Sequence, residues 1–160
     1  MKAAYFDYVV IGAGVYGLYA SYLLSCKQLK VAVLEQDGKV FSRASFINQA
    51  RLHQGYHYPR SIMTAKRCGQ YFRRFIEDFE PSINSSFQKI YAISARNSLT
   101  SFSQFLKFCR FCNITATEVD PRRYFNEGMV EGACETQEYS IDPQILGDLL
   151  LERNNQLHGF

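Results

Sequence analysis

The sequence is short of charge bias. Its 160 residues carry 18 Lys and Arg against 15 Asp and Glu, a net charge of +3. The cationic residues are scattered, and adjacent pairs such as Arg73-Arg74 and Arg122-Arg123 read as solvated faces. That pattern excludes the basic footprint of a nucleic-acid binder. A disulfide framework is missing too. Five cysteines at irregular spacing are an odd number, as expected of reduced thiols in a cytoplasmic protein. Cys109-Arg110-Phe111-Cys112 matches C-x-x-C but has no second C-x-x-C and lies in an apolar helical pattern, so both thiols read as packing residues. No internal repeat or low-complexity tract occurs. One stretch, Tyr8 to Cys26, lacks charge altogether and approaches the length of a membrane span. Three glycines and several tyrosines interrupt it, and no clear charged leader precedes it, so neither a membrane span nor a signal peptide is expected. At 47% hydrophobic and 21% charged residues the composition is globular, and the length fits one domain with a sizeable core.

What the same stretch does contain is a β-branched run, Tyr8 to Ile11, opening into Gly12-Ala13-Gly14-Val15-Tyr16-Gly17. In a G-x-G-x-x-G turn the first glycine allows a tight exit from the strand. The second lets the backbone approach a pyrophosphate, and the third brings helix and strand close. N–H groups at the helix start, with its partial positive charge, complete an anion site. A second strand, Val31 to Leu34, ends in Glu35, at the distance expected of an acid that binds ribose hydroxyls. The motif by itself does not distinguish FAD from NAD. No basic residue follows Glu35 directly, which argues against a 2′-phosphate and NADP.

In chain order, the pattern predicts a strand over Tyr5 to Ile11, its continuous apolar run suiting burial on both faces of a parallel sheet. A helix from Val15 to Cys26 follows, turning Leu18, Tyr22 and Leu23 inward with Ala20 and Leu24 beside them. The strand over Val31 to Leu34 lies parallel to the first, since a crossover helix joins them. From Gln36 to Pro59 periodicity vanishes, and an ordered loop of that length tends to be functional. A helix over Ser61 to Phe79 carries Ile62, Ala65, Phe72, Phe75, Ile76 and Phe79 on its apolar stripe, with Ser61 as N-cap. Strands are expected over Gln88 to Ser94, Ile114 to Val119, Met129 to Cys134 and Tyr139 to Ile141. Helices are expected over Leu99 to Cys112 and from Asp142-Pro143 to Asn155, with one helical turn over Pro121 to Phe125. His53 and His57 have the spacing of a helical zinc pair, but Gly55 and Pro59 oppose a helix and no third ligand is evident, so no metal is expected.

The glycine turn, Glu35, and the run from Ala44 through Asn48, His53 and Gly55 to Tyr58-Pro59 resemble the N-terminal part of the FAD-dependent D-amino-acid-oxidase-like superfamily. The loop is most similar to its L-2-hydroxyglutarate oxidase and glycerol-3-phosphate dehydrogenase branch. The resemblance is specific over the first sixty residues and elsewhere extends only to the order of elements. It implies an α/β fold: a Rossmann-like FAD-binding βαβ unit, then the beginning of a second, antiparallel substrate lobe. Residues 1–80 would begin the FAD domain, 81–141 the substrate lobe, and 142–160 a helix returning to the first. Gly12, Gly14, Val15, Tyr16 and Gly17 would hold the pyrophosphate, and Glu35, with Gln36 beside it, the adenosine ribose. Ala44, Ser45, Asn48, Gln49 and Ala50 would line the pyrophosphate and the approach to the flavin, with His53 near its ring. The sequence departs from the branch at Gln49-Ala50-Arg51, where Arg51 could attract an anionic substrate. No catalytic residue is identified. The implied reaction oxidises a C–N or C–OH bond of a small molecule by hydride transfer to flavin. Family members are considerably longer, so the chain also reads as a truncated product. An NAD-dependent Rossmann enzyme and a non-catalytic remnant or partner subunit are the other two readings.

Overall fold

A strand that leads straight into a glycine turn and a helix sets the architecture of the first part of the chain. In a computed structural model, residues 5–48 and 50–158 are described, the side chain of His158 excepted. Strand β1 (Tyr8–Ile11) runs into helix α1 (Val15–Ser25) and returns as β2 (Val31–Leu34). The two strands pair in parallel, Tyr8 opposite Val31 and Ile11 opposite Leu34. After them come a short helix α2 (Ala44–Ile47), β3 (Arg51–Leu52), the long helix α3 (Ile62–Phe79), and β4 (Ile83–Asn84). The remainder is β5 (Lys89–Ser94), α4 (Phe102–Cys112), β6 (Ala116–Val119), a 3-10 turn at Pro121–Arg123, β7 (Val130–Thr136), β8 (Tyr139–Ile141) and α5 (Pro143–His158).

The chain divides into two units. One takes the polypeptide up to Ala50 and again from Ile141; the other is Arg51–Ser140. These compact units divide at Ala50 and Ile141, whereas the expected domain boundaries lie at residues 80 and 141. Helix α3 belongs to the second unit, where Ala65 joins the core built by α4 and the antiparallel strands.

In the first unit α5 packs on α1. The buried residues of α1 are Leu18, Ser21 and Ser25, while Leu23 and Ala20 are exposed, contrary to the expected inward face. The helix is apolar nearly all round, so its pattern holds no contrast to choose a face, and small serines let α5 come close. Asn154, fully buried, donates its amide to the carbonyl oxygens of Leu18 (3.0 Å) and Leu150 (2.7 Å). A second correction concerns β1. Its residues are not buried on both faces: Tyr8 is 51% and Ile11 87% exposed. Of its four residues only Val10 is half-buried, on the side where Gly17 of α1 approaches it, so the strand is not enclosed from both faces.

The second unit has two three-stranded sheets, ordered β3-β8-β4 and β5-β7-β6. Strand β7 is central and antiparallel to both neighbours, with Tyr91 opposite Cys134 and Glu118 opposite Cys134 on the other side. Tyr56, Ala65, Phe105, Phe108, Cys109, Ile114 and Cys134 form its core. Burial pushes the Cys109 thiol up to about 12 and that of Cys134 to about 11, so the C-x-x-C cysteine at 109 is a packing residue with almost no thiolate at neutral pH. Helix α4 is closed at its start by a capping box: Ser101 Oγ accepts from the Gln104 N–H, and Gln104 Oε1 accepts from the Ser101 N–H. Ser61, expected to cap α3, instead bonds Thr64 through its hydroxyl at 2.8 Å.

Beside this core is a buried charge network. The Glu138 side chain is wholly inaccessible; its Oε2 accepts from Arg51 Nη2 at 2.6 Å, and Oε1 lies 3.4 Å from His57 Nε2. Tyr91 OH accepts from Arg51 Nη2 at 3.0 Å and sits 2.7 Å from His57 Nε2. His57 meets the ring of His53 edge-on, 4.7 Å between centroids. His53 Nδ1 accepts from the Gly55 N–H (3.1 Å), which leaves the proton of the neutral ring on Nε2. Arg51 is thus committed to a carboxylate inside its own unit rather than standing open for an anion. Burial first, and then the neighbouring His57, hold the His53 pKa below its ordinary 6.5.

Two outcomes follow from this unit. Ser101→Ala should lower stability by about 1 kcal/mol through loss of the cap, read as an earlier urea midpoint with an unchanged slope. His53 has the lower pKa in the folded state, so below pH 6.5 the unfolded chain binds the extra proton first and stability falls with acidification. The urea midpoint should therefore drop between pH 7.5 and pH 5.5, and His53→Gln should shrink that drop; equal drops in both proteins would refute the assignment.

Candidate cofactor cleft

The cleft is built where β1 turns into α1. Gly12 has φ +94°, a left-handed conformation that a side chain would strain, and its N–H donates to the Leu34 carbonyl at 2.7 Å. A Cβ on Gly17 would lie only 1.9 Å from the Gly12 carbonyl oxygen, so helix and strand approach as closely as they do because Gly17 has none. Gly14 is the N-cap of α1 and carries no capping side chain. Its place is served from elsewhere: Ser45 Oγ accepts from the Val15 N–H at 2.9 Å. The oxygen of a serine thirty residues away occupies a helix N-terminus, where anions are favoured.

Glu35 reaches back to this turn. Its Oε2 accepts from the Ala13 N–H (2.7 Å) and its Oε1 from the Asp37 N–H (3.1 Å). Those two backbone donors, Ala13 foremost, hold the Glu35 carboxyl below the usual carboxylate range. It is ionised at neutral pH, and each oxygen keeps a lone pair for a further donor. Arg43 grips Asp37 with two bonds, Nε to Oδ2 at 2.6 Å and Nη2 to Oδ1 at 2.8 Å. With its amide oxygen turned toward Arg43, Gln36 accepts from Nη2 at 2.6 Å and Nη1 at 2.5 Å. Arg43 holds the Asp37 carboxyl below its usual range, and the Arg43 guanidinium is raised in return.

Together these residues border a cleft of about 360 Å³, lined by Ile11, Gly12, Gly14, Leu34, Glu35, Gln36 and the segment Phe41 to Ser45. Of the residues singled out in sequence, Gly12, Gly14, Glu35, Gln36, Ala44 and Ser45 meet there. Val15 takes part through its N–H. Gly17 acts from behind by permitting the close approach, and the Tyr16 side chain points to solvent. Asn48 is used locally: its Oδ1 accepts from the Ala50 N–H at 2.5 Å and its Nδ2 donates to the Ser45 carbonyl at 3.3 Å. Ala50, at φ +48°, is the bend that follows, outside the cleft lining. Gln49 lies outside the described residues. His53 belongs to the other unit and to the Glu138 network. Sequence reasoning missed Asp37, Phe41, Ser42 and Arg43; the clue was an acid and a base bracketing the turn Asp37-Gly38-Lys39-Val40-Phe41-Ser42-Arg43.

No helix among the described residues is long and apolar enough to cross a membrane, and no group of three or more His, Cys, Asp or Glu among them could hold a metal ion. Comparison with known proteins gives a consistent outcome. Over 112 residues the chain is 30% identical to the FAD-dependent monooxygenase FPY4 of Fusarium mangiferae, a match covering 70% of this chain and 30% of that protein. Its fold is similar to that of L-α-glycerophosphate oxidase from Mycoplasma pneumoniae with FAD bound, at a TM-score of 0.72 and 17% identity over 96% of this chain and 43% of that one. Glycine oxidase from Geobacillus kaustophilus is similar at a TM-score of 0.68 and 14% identity, over 93% of this chain and 44% of that one. The chain therefore spans less than half the length of each of these relatives. The model of the FAD dependent oxidoreductase family matches residues 7–159; the chain belongs to that family, whose cofactor is FAD.

Proposed function

We propose that the cleft between the glycine turn, Glu35 and Ser45 holds the adenosine and pyrophosphate half of FAD, within an oxidoreductase that oxidises a C–N or C–OH bond of a small molecule. The observation that carries the reading is the convergence of two recognition elements on one cavity. A helix N-terminus, where an anion is favoured and Ser45 Oγ now accepts from Val15, faces the same cavity as an ionised carboxylate with spare lone pairs for ribose hydroxyls. The residues fit the group: beyond Gly12 and its two chain neighbours nothing lies within 4 Å of where a Gly12 Cβ would be, and Ser45 Oγ already acts as the acceptor that a phosphate oxygen would become. Ser45 could keep the Val15 N–H and turn its own hydroxyl proton to the phosphate.

In this reading Glu35 orients the ribose and also locks the glycine turn through Ala13. Arg43, Asp37 and Gln36 form the rim, with the guanidinium balanced by Asp37. Bound there, FAD would supply the hydride acceptor for the substrate carbon; the chain's part is to fix and orient it and to shape its electrostatics. The unit ending at Ala50 and resuming at Ile141 is assigned to the cofactor, and Arg51–Ser140 to the substrate side. Hydroxyl- or amine-bearing substrates are supported by the names of the two structural neighbours, oxidases of glycerophosphate and of glycine. The name of FPY4, a monooxygenase, supports a second reading in which oxygen is added to the substrate. Isotopic oxygen found in the product, rather than in hydrogen peroxide, would select it.

Titration of the protein with FAD should quench the cofactor's fluorescence and leave yellow protein after gel filtration, while NAD leaves the bound FAD in place. Glu35→Gln should weaken FAD by about tenfold or more, since a charge-assisted hydrogen bond to ribose is lost. Failure to take up FAD in excess, or displacement of FAD by NAD at similar concentration, would overturn the proposal.

A further inference from the structure

We infer that Phe41 and Gly147 are a positioning pair for the cofactor cleft, through which α5 sets the place of the wall that carries Ser42, Arg43 and Ser45. The inference rests on the FAD reading for what the cleft holds, and on separate observations for how the cleft is held. Phe41 has φ +59°. A bulky side chain rarely adopts that conformation, and it persists only where the surroundings impose it. Two contacts impose it here. The Phe41 N–H donates to the Ala13 carbonyl at 3.0 Å, and the ring, 6% exposed, lies against α5.

The contact with α5 explains a glycine that its helix does not want. Gly147 lies inside α5 with ordinary helical backbone, where alanine would serve the helix better. A Cβ there would meet Cγ, Cδ1 and Cβ of Phe41 at 3.1, 3.2 and 3.3 Å. The residue is glycine because the ring needs the space. Ala13 is then held from both sides, its N–H by Glu35 and its carbonyl by Phe41. The residues after Phe41 are tied down in turn: Ser42 and Arg43 to Asp37, and Ser45 to Val15. A second hollow of about 300 Å³ lies on the α5 side, bounded by Lys39, Phe46, Gln144 and Leu151 and sharing Phe41 and Ser42 with the cofactor cleft. A displaced ring therefore has somewhere to go, and a side chain at 147 moves the wall instead of unfolding the unit.

The test compares Gly147→Leu, the volume swap Phe41→Ala/Gly147→Leu, and Gly38→Ala, a control at which an added Cβ meets nothing within 4 Å. Backbone amide spectra without cofactor should show the Ala13, Val15 and Phe41 resonances displaced in Gly147→Leu and unmoved in Gly38→Ala. FAD affinity should fall about tenfold in Gly147→Leu and return most of the way in the swap. The thermal midpoint should hold, because leucine favours the helix. If Gly147→Leu does not fold, Gly147→Ala gives the same comparison with a smaller displacement. Unmoved amides, or a swap that recovers nothing, would overturn the inference. A wild-type protein that takes up no FAD would instead sink the FAD reading, and the amide spectra would still decide this one.

Discussion

Ala13 is the residue on which the first unit turns, and it acts through its backbone alone. Its N–H is taken by the Glu35 carboxylate and its carbonyl by the Phe41 N–H, so three separate segments meet at one residue. The glycine turn supplies the middle, the end of β2 one side, and the loop returning from β2 the other. Without the left-handed Gly12 the turn could not present Ala13 this way, and without Gly17 the helix could not approach the strand. The two backbone N–H groups lower the pKa of the carboxylate they hold, which keeps the link charge-assisted at neutral pH. The cleft is therefore a consequence of local closure within about thirty-five residues, with α5 as its backing.

The two units reach stability by different means. Unit two surrounds an antiparallel sheet with aromatic residues and closes off a carboxylate, Glu138, against Arg51 and His57. Such a pair is weak ground for net stability, since desolvating two charges offsets most of their attraction. Its force is conditional: with Glu138 buried, loss of Arg51 would leave an uncompensated charge, so the geometry around Tyr91 and the two histidines is fixed. Unit one is held differently away from the cleft. It relies on α1 against α5, where Ser21, Ser25 and Asn154 trade apolar burial for close approach, and its strands keep apolar side chains in contact with solvent.

How much of this was legible in sequence depends on whether the pattern had contrast. The glycine turn, the acid at the end of β2 and the amphipathic helices α3 and α4 were readable because glycine spacing and polar–apolar alternation each have a physical cause visible along the chain. Strand β8 was placed at its observed bounds, Tyr139–Ile141, between a loop and a proline-led helix. Helix α2 and strands β3 and β4 were not readable. They are two to four residues long and carry no pattern or flanking signal of their own, so only the tertiary fold decides that they are regular. The inward face of α1 was misread because a uniformly apolar helix carries no direction. The roles of Asp37 and Arg43 were missed because a six-residue separation in a loop fixes no geometry until the loop is closed.

Position 147 shows the same limit from the opposite side. A glycine within a helix looks like a weakness when only its own neighbours in sequence are considered. Its reason lies more than a hundred residues earlier, in a phenylalanine whose backbone is itself unfavourable. Each residue is locally a poor choice, and the two are consistent only as a pair. Local preference and global fold agree through most of a natural sequence, so a paired exception of this kind marks a place where another requirement has been met. Here the requirement is spatial: the return loop must pass close enough to the glycine turn for Ser45 to reach the start of α1. The strain at Phe41 and the missing side chain at Gly147 are both what that passage demands.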